Sequence, residues 1–252
     1  MTATALTAWR TVAASAVGAS HLRDGLGCQD AWATGRLPGE RGVVAAVADG
    51  AGSAANAALG ASTATAAAVA AACADAMVDC DGEAVAVEAV RAARAALEAL
   101  AVSEDVPLAS LACTIAVVVV SGATLGAAVV GDAGVVVRNG DDAWHVVTGD
   151  KGEYLNETVF LTSSSWATAT VSARMDSFGA DVAVMSDGLA LLAFDGVTGA
   201  AHEPFFSPLF AYARRGGDDA QLGAFLASAR VRDRTDDDVT LALLVTEPRA
   251  AS

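Results

Sequence analysis

Val43-Val-Ala-Ala-Val-Ala48 leads straight into Asp49-Gly50-Ala51-Gly52-Ser53, and from Ser53 to Asp79 the chain is almost continuous Ala with Val and Leu, without Pro. The first run has the length and the β-branched content of a buried strand, and the Asp-Gly pair ends it. Ser53 or Asn56 then offers a cap for an Ala-rich helix that can pack closely because its side chains are short. A strand that empties into an acid and then a helix is the unit from which the rest of the chain is read.

Outward from it, strand-length apolar runs recur at Ile115 to Val120, Leu125 to Val130, Val135 to Arg138, Trp144 to Thr148, Ala180 to Met185 and Val239 to Val245. Helical patterns cover Glu83 to Val102, where Arg91, Arg94 and Glu98 share a polar face opposite Val87, Val90 and Leu97, and two shorter segments, Phe205 to Arg214 and Asp218 to Arg230. Asn139-Gly140-Asp141 reads as a hairpin turn, and the short links at Ser121-Gly122 and Gly131 to Gly134 also favour antiparallel neighbours. The order is strands, two helices, a block of strands, two helices and a last strand, which is α+β rather than a regularly alternating parallel sheet. Lys151 to Arg174 is polar, rich in Ser and Thr and poorly periodic, and is expected to form a mobile flap.

The 252 residues carry no compositional break or Pro-rich linker, so a single domain over 1–252 is expected. With 54% hydrophobic and 5% aromatic residues, the core must be built from many small side chains. Lys+Arg 15 against Asp+Glu 30 gives a net charge of −15, which argues against nucleic acid and anionic membrane as partners. No apolar run is long enough for a transmembrane helix and no basic leader opens the chain, so a cytoplasmic protein is expected. Cys28, Cys73, Cys80 and Cys113 form no Cys-x-x-Cys pair and read as buried thiols.

The chemistry lies in acids at strand ends. Val43 to Ala48 runs into Asp49-Gly50, Leu125 to Val130 into Gly131-Asp132, Asp181 to Ser186 into Asp187-Gly188, and Asp236-Asp237-Asp238 into Val239; Gln29-Asp30 precedes Ala31-Trp32-Ala33. Any one of these is an ordinary turn acid, because Asp-Gly is a favoured turn pair. Five together imply carboxylates held near low-dielectric surroundings, where their repulsion is relieved by a hard divalent cation such as Mg²⁺ or Mn²⁺. Two such ions bridged by a carboxylate can activate water for in-line attack on phosphorus.

The motifs resemble, in order and context, the metal-dependent serine/threonine protein phosphatases of type 2C, in particular a bacterial subgroup. The matching pieces are Gly18-Ala-Ser-His21, Gly27-Cys-Gln-Asp30-Ala, Ala48-Asp49-Gly50-Ala51-Gly52-Ser53, Ala112-Cys113-Thr114, Gly131-Asp132, Gly152-Glu-Tyr-Leu-Asn156-Glu-Thr158, Ser186-Asp187-Gly188 and Asp237-Asp238-Val239-Thr240. The resemblance covers about Trp9 to Thr246. It implies a four-layer α-β-β-α sandwich of two antiparallel sheets flanked by helix pairs, with a binuclear metal site at one end of the cleft. Carried over residue by residue, Asp49 would bridge both metals, the Gly50 carbonyl would ligate one, and Asp187 and Asp237 would complete that side. Asp30 would hold the second metal, mainly through water. Asp132 with Asp187 would hold a weaker third ion, and Thr114 would be a supporting residue. Asp49 and Asp30 are thus the catalytic acids that the resemblance implies.

The chain departs from the family at several points. Ala51 stands where some members carry a His proposed as general acid. Arg23 precedes Asp30 by seven residues, a longer spacing than that of the family's phosphate-holding Arg, and is either a phosphate ligand or a solvated loop residue. His21 is either a phosphate binder or proton donor, or a structural hydrogen-bonder. Asp238 replaces the usual Asn, so register alone selects Asp237 over Asp236 and Asp238.

The leading expectation is therefore Mg²⁺- or Mn²⁺-dependent hydrolysis of phosphoserine or phosphothreonine by attack of a binuclear-metal-activated water, without a covalent phosphoenzyme. The expected partner is a phosphorylated protein, a Ser/Thr kinase or its target. The alternative is a catalytically weak or inactive phosphatase-like regulatory module that binds a phosphoprotein or kinase; its signature would be lost metal acids. A hydrolase of small phosphoesters stays open at this level, and a purely structural acidic protein leaves the ordered acids unexplained.

Overall fold

The computed structural model describes residues 8–74, 81–140, 142–149, 158–177 and 179–246. Among these residues ten strands form two five-stranded sheets. The first has the order β1 (Trp9–Ala16), β10 (Val239–Thr246), β9 (Asp181–Met185), β6 (Gly134–Arg138), β7 (Trp144–Thr148). The second has the order β2 (Ala31–Arg36), β3 (Gly42–Ala48), β4 (Ile115–Ser121), β5 (Thr124–Val130), β8 (Val171–Asp176). Every pairing is antiparallel.

Strand alternation sorts the side chains into layers, because successive residues point to opposite faces of a sheet. In β3, Val43, Ala45 and Val47 enter the core between the two sheets, while Val44, Ala46 and Ala48 face α2 (Ala57–Ala72) and α3 (Gly82–Ser103). In β10, Ala242 and Leu244 join the inter-sheet core, while Leu241, Leu243 and Val245 pack with Phe206 and Phe210 of α5 (Glu203–Arg214) and with Leu222 and Leu226 of α6 (Asp219–Leu226). The result is the expected α-β-β-α arrangement of an α+β fold. Short side chains let it close: Ala57, Ala61, Ala64, Ala68 and Ala72 all lie buried along one side of α2. Among the described residues, no helix is long and apolar enough to cross a membrane.

Several expectations need correction. The Ala-rich helix starts after Asn56 and ends at Ala72, well short of Asp79; residues 75–79 lie outside the described ones. The last helical stretch divides into α6 and α7 (Ala229–Arg232) at Ala227-Ser228. The Gly131 to Gly134 link does not join antiparallel neighbours. It carries the chain from β5 in one sheet to β6 in the other, with Gly131 at φ 91°. Only part of the expected flap is described. Its end is β8, paired with β5 from Val171 to Asp176, and before that Leu161 is buried in the core while Arg94 donates to the Leu161 and Ser163 carbonyls at 2.7 and 3.2 Å. Described residues 158–177 are therefore anchored, and 151–157 lie outside the described ones. Cys113 is buried as expected, Cys28 and Cys73 are half-buried, and Cys80 is outside the described residues.

Candidate metal centre

The acids singled out in sequence sit at strand ends that the topology gathers at one edge of the sandwich. Asp49 follows β3, Asp187 follows β9, Asp237 precedes β10, Asp30 precedes β2 and Asp132 lies on the crossover from β5. Asp49 is placed by its backbone: its N–H donates to Thr114 Oγ1 at 3.2 Å and its carbonyl accepts the Thr114 N–H at 2.8 Å. Thr114 thus braces both the N–H and the carbonyl of Asp49. Gly50 continues the pairing as an isolated bridge to Cys113. A Cβ there would stand 2.7 Å from the Gln29 carbonyl oxygen and 2.9 Å from Ala57 backbone atoms, so only glycine allows this close approach of three stretches of chain.

Asp30, Asp187 and Asp237 all act electrostatically on Asp49, whose carboxyl is held well above the ordinary range by burial first and by these three charges second. Burial also raises Asp30, against the pull of the Ser186 hydroxyl bond. Burial raises Asp187 too, followed by the charge of Asp132. Asp30 Oδ1 and Asp187 Oδ1 are buried and have no protein partner among the described residues. Desolvated, mutually repelling carboxylates with orphaned oxygens form a donor set of the kind that hard divalent cations accept. Among the described residues, no group of three or more His, Cys, Asp or Glu is drawn tightly enough to enclose one ion. The fit to Mg²⁺ or Mn²⁺ lies in the chemistry of the donors, which are oxygens alone.

The three consecutive acids have separate fates. Asp238 is buried and fully engaged, accepting from Gly18 N at 2.7 Å, Gln29 N at 2.6 Å and His21 Nδ1 at 2.9 Å. Asp236 is exposed beside Arg23. Asp237 Oδ1 accepts the Asp238 N–H at 2.8 Å, and the charge of Asp237 acts on Asp49 and Asp187. His21 is placed as a hydrogen-bonder of Asp238. Arg23 lies at the end of α1 (Ala19–Asp24), 70% exposed, with a 3.5 Å contact to Asp236. At the opposite rim Thr158 donates to Asp132 Oδ2 at 2.7 Å; the rest of that motif, 152–157, lies outside the described residues.

A family model described as protein phosphatase 2C matches residues 17–227, a span that runs through the Asp30, Asp49, Asp132 and Asp187 motifs. The chain belongs to the protein phosphatase 2C family. It is 33% identical to serine/threonine-protein phosphatase 3 of Escherichia coli K12 over 249 residues, covering 93% of this chain and 97% of that one. Its fold is similar to that of the serine/threonine phosphatase PstP of Mycobacterium tuberculosis, with TM-score 0.65 at 19% identity over 95% of this chain and 99% of that one. A PstP catalytic domain in complex with two manganese ions matches with TM-score 0.62 at 20% identity, again over 95% and 99%. A bacterial serine phosphatase gives TM-score 0.67 at 14% identity over 97% and 100%.

Two features of this 2C-type site were not singled out as functional in the sequence. Ser186 links Asp30 to the backbone of Thr240, and Asp238 organises the loops beneath Asp30 and Asp237. Both stand beside residues that the motif already names, and their own buried, fully used hydrogen bonds appear only in three dimensions.

Proposed function

We propose that this serine/threonine phosphatase of the 2C type is a metal-dependent protein phosphatase. Asp49 and Asp30 would be its catalytic acids, Asp49, the Gly50 carbonyl, Asp187 and Asp237 would hold one ion, and Asp49 with Asp30 a second. Asp132 and Asp187 would hold a weaker third. The observation that carries the reading is the convergence of Asp30, Asp187 and Asp237 on the half-buried Asp49, with two carboxylate oxygens left unpartnered among the described residues. When bound, a pair of Mg²⁺ or Mn²⁺ ions supplies Lewis acidity toward phosphoryl oxygens and a nucleophile at neutral pH.

The chain's own residues supply placement. Thr114 holds the Asp49 backbone, Ser186 fixes Asp30 and Thr158 orients Asp132. Neither cysteine near the acids is suited to attack phosphorus, since burial pushes the Cys113 thiol up to about 12 and the Cys28 thiol higher still. That agrees with hydrolysis without a covalent phosphoenzyme. Arg23 and His21 occupy the rim beside the Asp236 to Asp238 loop, with Arg23 the candidate to meet the phosphate of an incoming phosphoprotein, a kinase or its target. A non-catalytic regulatory module would be expected to have lost metal acids, and Asp30, Asp49, Asp132, Asp187 and Asp237 are all present.

The test is hydrolysis of a phosphothreonine peptide and of an aryl phosphate with Mn²⁺, with Mg²⁺ and with chelator, for wild type and Asp49→Asn. Metal-dependent turnover that the variant loses is expected. Metal binding without turnover in the wild type would give the regulatory module instead.

A further inference from the structure

Asp238 is 2% exposed, yet its two oxygens accept three donors from two separate stretches of chain. Oδ1 takes the Gly18 N–H, and Oδ2 takes the Gln29 N–H and His21 Nδ1. Gln29 immediately precedes Asp30, and Asp238 immediately follows Asp237. One buried side chain therefore fixes the peptide before one metal-site acid while its own backbone carries the other.

The helix that brings His21 into this arrangement depends on the same loop. Helix α1 has six residues, none buried, and no side-chain cap at Gly18. What ties it down is the 236–238 segment: Ser20 N and Ser20 Oγ both donate to the Asp236 carbonyl, at 2.9 and 2.6 Å, and the Asp238 carboxylate takes Gly18 and His21. A Cβ on Gly18 would lie 2.3 Å from the Asp237 carbonyl carbon, so the two backbones are in direct apposition.

We propose that Asp238 and His21 are paired positioning residues that hold the chain beside Asp30 and Asp237 in a fixed relation, and that His21 serves this role rather than touching phosphate. An Asn at 238 offers one acceptor oxygen for donors that approach two, and its amide nitrogen would oppose an N–H on the other side. His21 supplies the one side-chain donor of the three, and it holds Asp238 at a site where an unpaired carboxylate would be costly. The inference rests on the metal-site reading of the preceding subsection, and its test separates the two.

Mn²⁺ affinity is measured by calorimetry for wild type, Asp49→Asn, Asp238→Asn, Asp238→Ala, His21→Ala and His21→Gln, alongside amide hydrogen exchange at Gly18 and Gln29 in the metal-free proteins. Loss of such supporting partners costs roughly 10–100-fold in metal affinity. Asp238→Ala and His21→Ala should fall in that range, with faster exchange at Gly18 and Gln29 for Asp238→Ala. His21→Gln, which keeps a donor, should recover most of the affinity. For both alanine variants kcat should return toward wild type as Mn²⁺ is raised, and circular dichroism of the metal-free variants should show that each is folded before metal is added. Wild-type affinity in His21→Ala and Asp238→Asn would overturn the inference while Asp49→Asn still loses metal and upholds the site. Should Asp238→Ala fail to fold, His21→Ala against His21→Gln decides, because His21 is part-exposed on a helix outside the core. Unchanged binding in Asp49→Asn, or none in the wild type, would overturn both readings.

Discussion

The Ser186 hydroxyl secures Asp30 from behind: Oγ donates to Asp30 Oδ2 at 2.7 Å and accepts the Thr240 N–H at 2.9 Å. Thr240 Oγ1 in turn lies 2.6 Å from Ser15 Oγ. A buried carboxylate at the start of β2 is thereby tied across the sandwich to β9, β10 and β1, the other sheet. Ser186→Ala removes a donor from Asp30 and an acceptor from Thr240, both of them buried bonds. The expected cost is about 1–3 kcal/mol of stability, read by urea denaturation, and a roughly 10–100-fold loss of turnover at sub-saturating Mn²⁺. Ser186→Thr keeps the hydroxyl and should restore part of both.

The strands and the acids were legible because burial writes itself into composition. Val43 to Ala48 and Ile115 to Val120 are apolar on both faces, since one face meets the second sheet and the other meets helices. The edge strand β8 carries no such signature: it alternates half-buried and exposed residues through Ser172, Arg174 and Asp176, and so reads as flap. The Gly131 to Gly134 link misleads for a related reason, because a short Gly-rich connection is the same in sequence whether it reverses within a sheet or crosses to another. At the candidate site, residue types point to the acids, while the difference among Asp236, Asp237 and Asp238 shows only in the fold, where Asp238 alone of the three takes donors from the Gly18 to Gln29 stretch through buried oxygens and Asp236 stays exposed.

Proton competition gives the site a pH dependence of defined sign. Asp30, Asp49 and Asp187 all have carboxyls raised in the metal-free fold, by burial first. A raised folded-state pKa contributes stability that is full below the ordinary carboxylate range near about pH 4 and is lost as pH rises above it. A divalent ion must displace those protons, so its affinity should rise by up to about tenfold per pH unit for each proton displaced. The increase in Tm on adding saturating Mn²⁺ should therefore be larger at about pH 8 than at about pH 6, as scanning calorimetry can show. An increase independent of pH would mean that the acids are already ionised without metal.

Gly50→Ala tests the close approach at the centre of the site. The new methyl would meet the Gln29 carbonyl and the Ala57 backbone, neither of which can rotate away as a side chain could. Overpacking of this kind costs about 1–3 kcal/mol. Because Gly50 directly follows Asp49 and is itself the residue bridged to Cys113, a shift of its backbone moves Asp49, and a thermal melt beside a phosphopeptide assay should show a loss of activity beyond what the lowered stability explains.

Arg23→Ala addresses the rim. An arginine 70% exposed with a 3.5 Å contact to an equally exposed Asp236 contributes little to folding, and the change in stability should stay within about 0.5 kcal/mol. If its guanidinium meets the substrate phosphate in ground and transition states alike, KM for a phosphothreonine peptide should rise about fivefold with kcat unchanged. Identical kinetics would make it a solvated surface residue.

At the far end of β9 stands an acid of the opposite kind. Asp181 is 1% exposed and is held by Arg138, which bonds Oδ2 through Nε at 3.1 Å and through Nη2, and by Arg214 at 2.6 Å from Oδ1. Arg138 is itself seated over Trp144 and Phe210, so the ion cluster joins β6, β7 and β9 to α5. Here cations come from the protein, whereas the acids gathered at the other end of the same strand face mainly one another. Removing one member of such a buried group leaves the others uncompensated, and Asp181→Ala should cost about 3–5 kcal/mol. Asp187 lies six residues further along, up to about 20 Å away at the rise of an extended chain. Mn²⁺ affinity and kcat measured well below the lowered Tm should therefore match wild type. Loss of metal affinity in Asp181→Ala would show that the pitch of β9, and with it Asp187, is set from this end.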